Sequence, residues 1–144
     1  MFERCLYFNI NALARQVNSI WDDAFAEFDL SPAHAYLLRL VFSQPGIAQK
    51  QIALELKLEK STVTRFVDSL QNKGLVTRKK TASGDPREQN IFATAKASKL
   101  ADQLNAKGDE LYKKMLAQLG KDELKALVEM SRLAATRLSW FFFI

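Results

Sequence analysis

The stretch from Ile47 to Gln89, IAQKQIALELKLEKSTVTRFVDSLQNKGLVTRKKTASGDPREQ, constrains the fold more than any other part of the chain. Residues 49–56 place Ile52, Ala53 and Leu56 on one helical face, and a short turn follows at 57–59. Residues 60–73 repeat the pattern, with Val63, Phe66, Val67 and Leu70 as a buried stripe. Gly74 stands where a left-handed helix end is expected. Residues 75–81 then read as a basic strand, 82–86 as a turn cluster, and 89–93 as a short return strand. A helix-turn-helix that runs directly into a β-hairpin requires this order of elements.

The same stretch holds the whole charge imbalance. Between Lys57 and Arg87 lie eight of the 21 basic residues and three of the 16 acidic ones, a local net of +5. The remainder carries 13 of each sign, so the formal charge of +5 belongs to one structural unit. A positive field confined in this way is the electrostatic footprint of a surface that meets phosphates.

At 144 residues the chain fits one domain, and three prolines with five glycines favour a mainly α fold. Residues 2–28 place Leu6, Ile10, Leu13, Val17, Trp21 and Phe25 at helical spacing. Ser31 reads as the cap and Pro32 as the first residue of a second helix, which Gln44-Pro45-Gly46 breaks. Thr94 can cap a helix over 95–119, Gly120 interrupts it, and Asp122 can cap a last helix carrying Leu124, Leu127, Val128, Leu133 and Leu138. These two helices and the first have more apolar face than one small domain covers. They read as an interface between two copies of the chain, with a lone helical hairpin as the other solution. The organisation is thus a winged helix-turn-helix lobe at 31–94 and a helical dimerisation region built from 1–30 and 95–144.

A reading helix shows short hydrogen-bonding side chains near its N-terminus for base edges, and long basic ones for phosphates. Opposite the buried stripe of residues 60–73 lie Ser61, Thr62, Thr64, Arg65 and Ser69, with Lys60 and Lys73 at the ends. Arg65 is able to grip guanine bidentately, and Thr62 can hydrogen-bond or pack on a thymine methyl. Ser61 or Glu59 reads as the helix cap. Along the hairpin, Arg78, Lys79 and Lys80 line an approach to phosphate. Arg87 at the tip suits the minor groove, with Asp85 holding it in pose. Double-stranded DNA is the implied partner. A winged-helix protein-interaction module without DNA binding is the alternative, and the basic face speaks against it.

At these residues the chain resembles the MarR family of winged-helix transcriptional regulators, over nearly its full length. The resemblance rests on FDLSPAHAYLLRL, on QKQIALELKLEKSTVTRFVDSLQNKGLV and on DPREQNIFAT; within them, STVTR, the V-D-x-L pattern and K-G-L-V are the most specific. It implies a homodimer whose terminal helices pair and whose two lobes straddle a pseudo-palindromic operator, as a repressor released by a small molecule or by oxidation. The chain departs from the family pattern at Ala93, usually Leu, which implies looser packing at the wing base. Ser69 and Gln89 stand where many members are basic, which implies fewer phosphate contacts. The apolar tail 140–144 is expected in the dimer interface.

Two kinds of signal are implied. Some family members sense peroxide through a cysteine in the first helix, which points to Cys5 beside Tyr7; lone cysteines are also commonly inert small hydrophobes. A small aromatic effector would sit near the first, second and fifth helices, where Asn11, Arg15, His34 and Tyr36 are available, although His34 reads equally well as a surface residue near a helix start. Cys5 is the single cysteine, which excludes an intramolecular disulfide and fits a reducing cytoplasm. No signal-peptide pattern is present, and the apolar tail is far short of the about 20 residues that span a bilayer. With one His, one Cys and no glycine-rich phosphate loop, neither catalysis nor a metal or cofactor is expected.

Overall fold

The computed structural model describes residues 1–80 and 88–143. The turn cluster at 82–86, with Asp85, and the tip residue Arg87 lie outside the described residues. The chain divides into two units, Met1–Lys107 and Gly108–Ile144.

The first unit opens with α1 (Leu6–Phe25) and a 3-10 turn, Ala26–Phe28. The spacing of apolar residues predicts a helix from residue 2, but the first turn is bent instead. The Asn9 amide donates to the carbonyls of Phe2 (3.2 Å), Glu3 (3.1 Å) and Cys5 (2.8 Å), which ties residues 2–5 back on the helix start. Asp29 adopts a left-handed conformation, φ 53°, and turns the chain into α2 (Pro32–Ser43). Ser31 caps α2 by accepting from the His34 amide at 3.2 Å, as its position ahead of Pro32 predicts. Ala35, Leu37, Leu38 and Val41 of α2 are buried, so this helix is the central packing element.

β1 (Ile47–Ala48) follows, then α3 (Gln49–Leu56) and α4 (Lys60–Asn72). Val63, Val67 and Leu70 of α4 are wholly buried, while Phe66 is half-exposed and meets His34 edge-on at 4.6 Å. Gly74, φ +73°, lets the chain leave α4 and enter β2 (Val76–Lys80). β3 (Gln89–Ala93) returns antiparallel, with Val76 opposite Ala93 and Lys80 opposite Gln89. The sheet has the order β1-β3-β2, because Ile47 and Ala48 pair with Ile91 and Asn90. A two-residue strand between two helices leaves no periodicity to read. Gly46, φ +83°, permits the close approach to β3, since a Cβ there would stand 3.0 Å from the Phe92 ring.

Thr94 caps α5 (Ala95–Ser98), as its place after the return strand predicts. The single helix expected over 95–119 is two. The Leu100 amide turns back to the Ala97 carbonyl at 2.8 Å, and α6 (Ala101–Leu119) starts beyond this tight turn. Neither Gly nor Pro marks the break.

The second unit holds the later part of α6, then Gly120, α7 (Lys121–Leu138) and a 3-10 turn, Ser139–Phe143. Asp122 does not cap α7: Gly120 occupies the cap position and Asp122 lies inside the first turn, where it complements the helix dipole. No residue of α7 is buried, and Val128 and Met130 are 48% and 60% exposed. In the first unit, Leu6, Tyr7, Phe8 and Ile10 of α1 are exposed as well. No helix among the described residues is long and apolar enough to cross a membrane.

Leu70 closes the core beneath α4. Leu70→Ala should lower the unfolding free energy by about 2–5 kcal/mol in chemical denaturation, the range for a cavity in a packed interior. A loss below about 1 kcal/mol would contradict its placement.

Candidate nucleic-acid interface

α3 ends on Lys57, whose left-handed conformation (φ 55°) lets Leu58 hydrogen-bond back to the Ala53 carbonyl at 3.0 Å. The turn is therefore tight, and α4 starts almost at once. Neither Ser61 nor Glu59 caps it through a side chain: Glu59 occupies the cap position, but its carboxylate makes no such bond. Lys60, Ser61 and Arg65 are exposed at the start of α4, and Thr62 is half-exposed beside them. The Arg65 guanidinium lies 3.5 Å from the Thr62 hydroxyl, one turn away on the same face. An open groove of about 600 Å³ between α3 and the start of α4 has Lys50 and Lys60 on its walls and Ala53, Leu54 and Leu58 as its apolar part.

Several sequence-predicted contact residues have internal partners instead. Arg78 was expected to meet phosphate, but its side chain is only 21% exposed and its donors are directed at the lobe itself. It donates to the Asp68 carboxylate, to Gln71 Oε1 at 2.7 Å, to the Thr64 carbonyl at 3.3 Å and to Gln49 Oε1 at 3.5 Å. A guanidinium cannot shed its proton, so a half-buried one must find acceptors, and the outer face of α4 supplies them. Lys73 was likewise expected at phosphate. Its ammonium donates to the Asp29 carbonyl and lies 3.6 Å from the Asp29 carboxylate. The Thr64 hydroxyl accepts from Gln49 Nε2 at 2.7 Å and donates to the Lys60 carbonyl at 3.0 Å, so it locks α3 to α4. Ser69 is half-exposed on the same helix.

Lys79 and Lys80 remain exposed on β2, with the Lys79 ammonium 4.9 Å from the centre of the Phe92 ring. The outward set is therefore Lys60, Ser61, Thr62, Arg65, Lys79 and Lys80. Sequence reasoning missed Gln49 and Asp68, the acceptors that hold Arg78. An acidic residue inside a basic stretch was the available signal for Asp68.

The residues expected to hold an effector do not gather. The Tyr36 hydroxyl accepts from Trp21 Nε1 at 3.1 Å, and its ring meets Phe25 and the Arg39 guanidinium at 5.8 and 5.0 Å. Arg39 in turn donates to Asn105 at 2.9 Å, which joins α2 to α6. His34 faces Phe66 of α4 instead, Asn11 hydrogen-bonds the Tyr7 carbonyl of its own helix, and Arg15 is exposed. Cys5 is half-buried at the cap position of α1. Among the described residues no His, Cys, Asp and Glu cluster could hold a metal ion.

Residues 30–85 match the family model described as MarR family. A Bacillus subtilis (strain 168) protein, the uncharacterized HTH-type transcriptional regulator YybA, is 25% identical over 123 residues, covering 82% of this chain and 78% of its own. Among solved structures, the S. aureus MepR–DNA complex superposes with a TM-score of 0.81 at 22% identity, covering 93% of this chain and 99% of that one. The transcriptional repressor CouR bound to a 23-mer DNA duplex gives 0.80 at 24%, covering 93% and 94%. The transcriptional regulator SlyA gives 0.79 at 24%, covering 97% and 99%. At these identities the structural likeness establishes the winged-helix fold.

Two outcomes follow from the site's internal bonds. Arg78→Met should cost about 1–2 kcal/mol of stability, because hydrogen bonds to a charged group are lost and Asp68 is left alone. Lys79→Met, next to it on the same strand, should change stability by no more than about 0.5 kcal/mol. Equal effects of the two in denaturant titrations would refute the division of roles. His34 titrates below its ordinary value of 6.5, first because burial penalises its charged form and second because Lys73 repels it. The unfolded chain then takes up a proton that the fold resists. Stability should fall as pH drops through and below about 6.5, and His34→Gln should remove that part of the slope in melting curves. A slope unchanged in the variant would exclude His34 as its source.

Proposed function

We propose that the chain, whose residues 30–85 match the MarR family model, is a member of that family and a sequence-specific regulator that binds double-stranded DNA. The observation that carries this reading is the outward face of α4. Lys60, Ser61, Thr62 and Arg65 stand exposed or half-exposed at its first turns, with Lys79 and Lys80 exposed on the neighbouring strand. Thr62 and Arg65 read base edges, while Lys60, Lys79 and Lys80 neutralise phosphates. MepR and CouR, whose folds this chain shares, were solved with DNA. A face this basic favours nucleic acid over a protein-only interaction module.

The protein acts as a homodimer through 1–30 and 95–144, whose exposed apolar residues on α1 and α7 favour a second copy as their cover. Two lobes then meet a pseudo-palindromic operator as a repressor. Release follows a small aromatic effector, or oxidation at Cys5. Arg87 probes the minor groove with Asp85 beside it. The compartment that suits such a regulator is the cytoplasm.

Selection of bound duplexes from a random pool tests the central reading, with half-sites about one helical turn apart expected. On the selected duplex, Arg65→Ala should relax base preference by about 1–3 kcal/mol at one position. Lys79→Ala should weaken all sequences evenly and reduce the salt slope by about 0.9. If both variants bind selected and random DNA like the parent, α4 is not the reader. Sedimentation that shows only monomer at micromolar concentration would remove the dimer, and peroxide release that persists in Cys5→Ser would remove the redox branch.

A further inference from the structure

We propose that Lys73 is a positioning residue for the reading helix, joining the end of α4 to both segments by which the chain enters and leaves the winged lobe. The proposal rests on α4 as the reader of DNA. Lys73 is the C-terminal cap of α4. Its ammonium reaches across 44 positions of sequence to the Asp29 carbonyl, just ahead of α2. Its own carbonyl accepts from the Lys96 ammonium on α5 at 2.9 Å. The next carbonyl, that of Gly74, accepts from the Thr94 hydroxyl at 2.7 Å, and the Thr94 amide bonds the Leu75 carbonyl at 3.1 Å. The way in from α1 and the way out toward α6 therefore meet on one helix end.

The strength of the joint lies in its backbone acceptors. The Asp29 carboxylate is fully exposed and 3.6 Å away, so its ion pair with Lys73 contributes little. The Asp29 carbonyl is different, because a left-handed residue between a 3-10 turn and a capped helix holds it in place. The charged groups at the joint are Lys73, Lys96, Asp29 and, from α2, His34, whose protonation Lys73 opposes. At 1.5 Å per residue, Arg65 lies about 12 Å up the helix from Lys73. A tilt of about 5° at the joint displaces it by about 1 Å, more than the roughly 0.5 Å that a binding constellation tolerates. A movement of α1 or α6 would thus be felt where bases are read, with no residue at the joint touching DNA.

The test compares Lys73→Met and Lys73→Arg with the parent, on a duplex selected from a random pool and across a salt series. Lys73→Met should weaken binding about fivefold, the loss of one charge-assisted hydrogen bond, with an unchanged salt slope. Lys73→Arg, which can still donate to the Asp29 carbonyl, should restore most of the affinity. A slope lower by about 0.9 in Lys73→Met would instead make Lys73 a phosphate contact and overturn the proposal. Hydrogen exchange of the DNA-free proteins keeps the joint testable if no duplex binds, which would sink the DNA reading alone. Faster exchange at 26–31, the segment that the Lys73 ammonium holds, in Lys73→Met but not in Lys73→Arg supports the joint, while 94–97, bonded to backbone carbonyls, should exchange as in the parent. Exchange equal to the parent in both variants overturns it.

Discussion

The winged lobe depends on the guanidinium of Arg78. It sits on β2 and finds Asp68, Gln71 and the Thr64 carbonyl on one helix and Gln49 on another. Apolar packing alone would let a strand slide along a helix at small cost, because that attraction has no direction. A planar fork with fixed donor angles removes this freedom. The root of the wing and the face of α4 are thereby held in one register, and Lys79 and Lys80 on the strand keep a set relation to Thr62 and Arg65. The Gln49–Thr64 bond extends the same lock to α3.

The charge excess of the lobe consequently has two functions that composition cannot separate. Arg78 and Lys73 compensate acceptors inside the fold, while Lys60, Arg65, Lys79 and Lys80 face outward. Both groups contribute to the long-range field that would draw in a polyanion. Only the outward group can exchange its counterions for phosphates, so the salt dependence of binding should reflect fewer contacts than the count of basic residues suggests.

Much of the lobe was legible in the sequence, because each signal there has a local cause. Ser31 ahead of Pro32, Gly74 and Thr94 predict element ends that the structure reproduces within one residue, and of the expected stripe Val63, Phe66, Val67 and Leu70 all but Phe66 are buried. The missed features are set by partners far along the chain. β1 exists because Ile47 meets Ile91, and the partners of Arg78 depend on how strand and helix cross. The break between α5 and α6 carries no Gly or Pro, and no periodicity betrays it. The residues expected to hold an effector are dispersed for a related reason. His34 and Tyr36 are two positions apart on α2, and at 100° per residue they face different neighbours. Asp85 and Arg87 lie outside the described residues, so the minor-groove reading of the tip stays with the sequence.

α7 forms eighteen residues of helix without burying one of them. Isolated helices of this length are marginal in water, since packing of an apolar face supplies most helical stability in proteins. If a second chain provides that packing, the ordered α7 is a property of the pair and not of the molecule. Its formation then scales with copy number. A cell that makes less of this chain would hold a smaller fraction of it in competent form, so gene dosage and folding would act on the same switch.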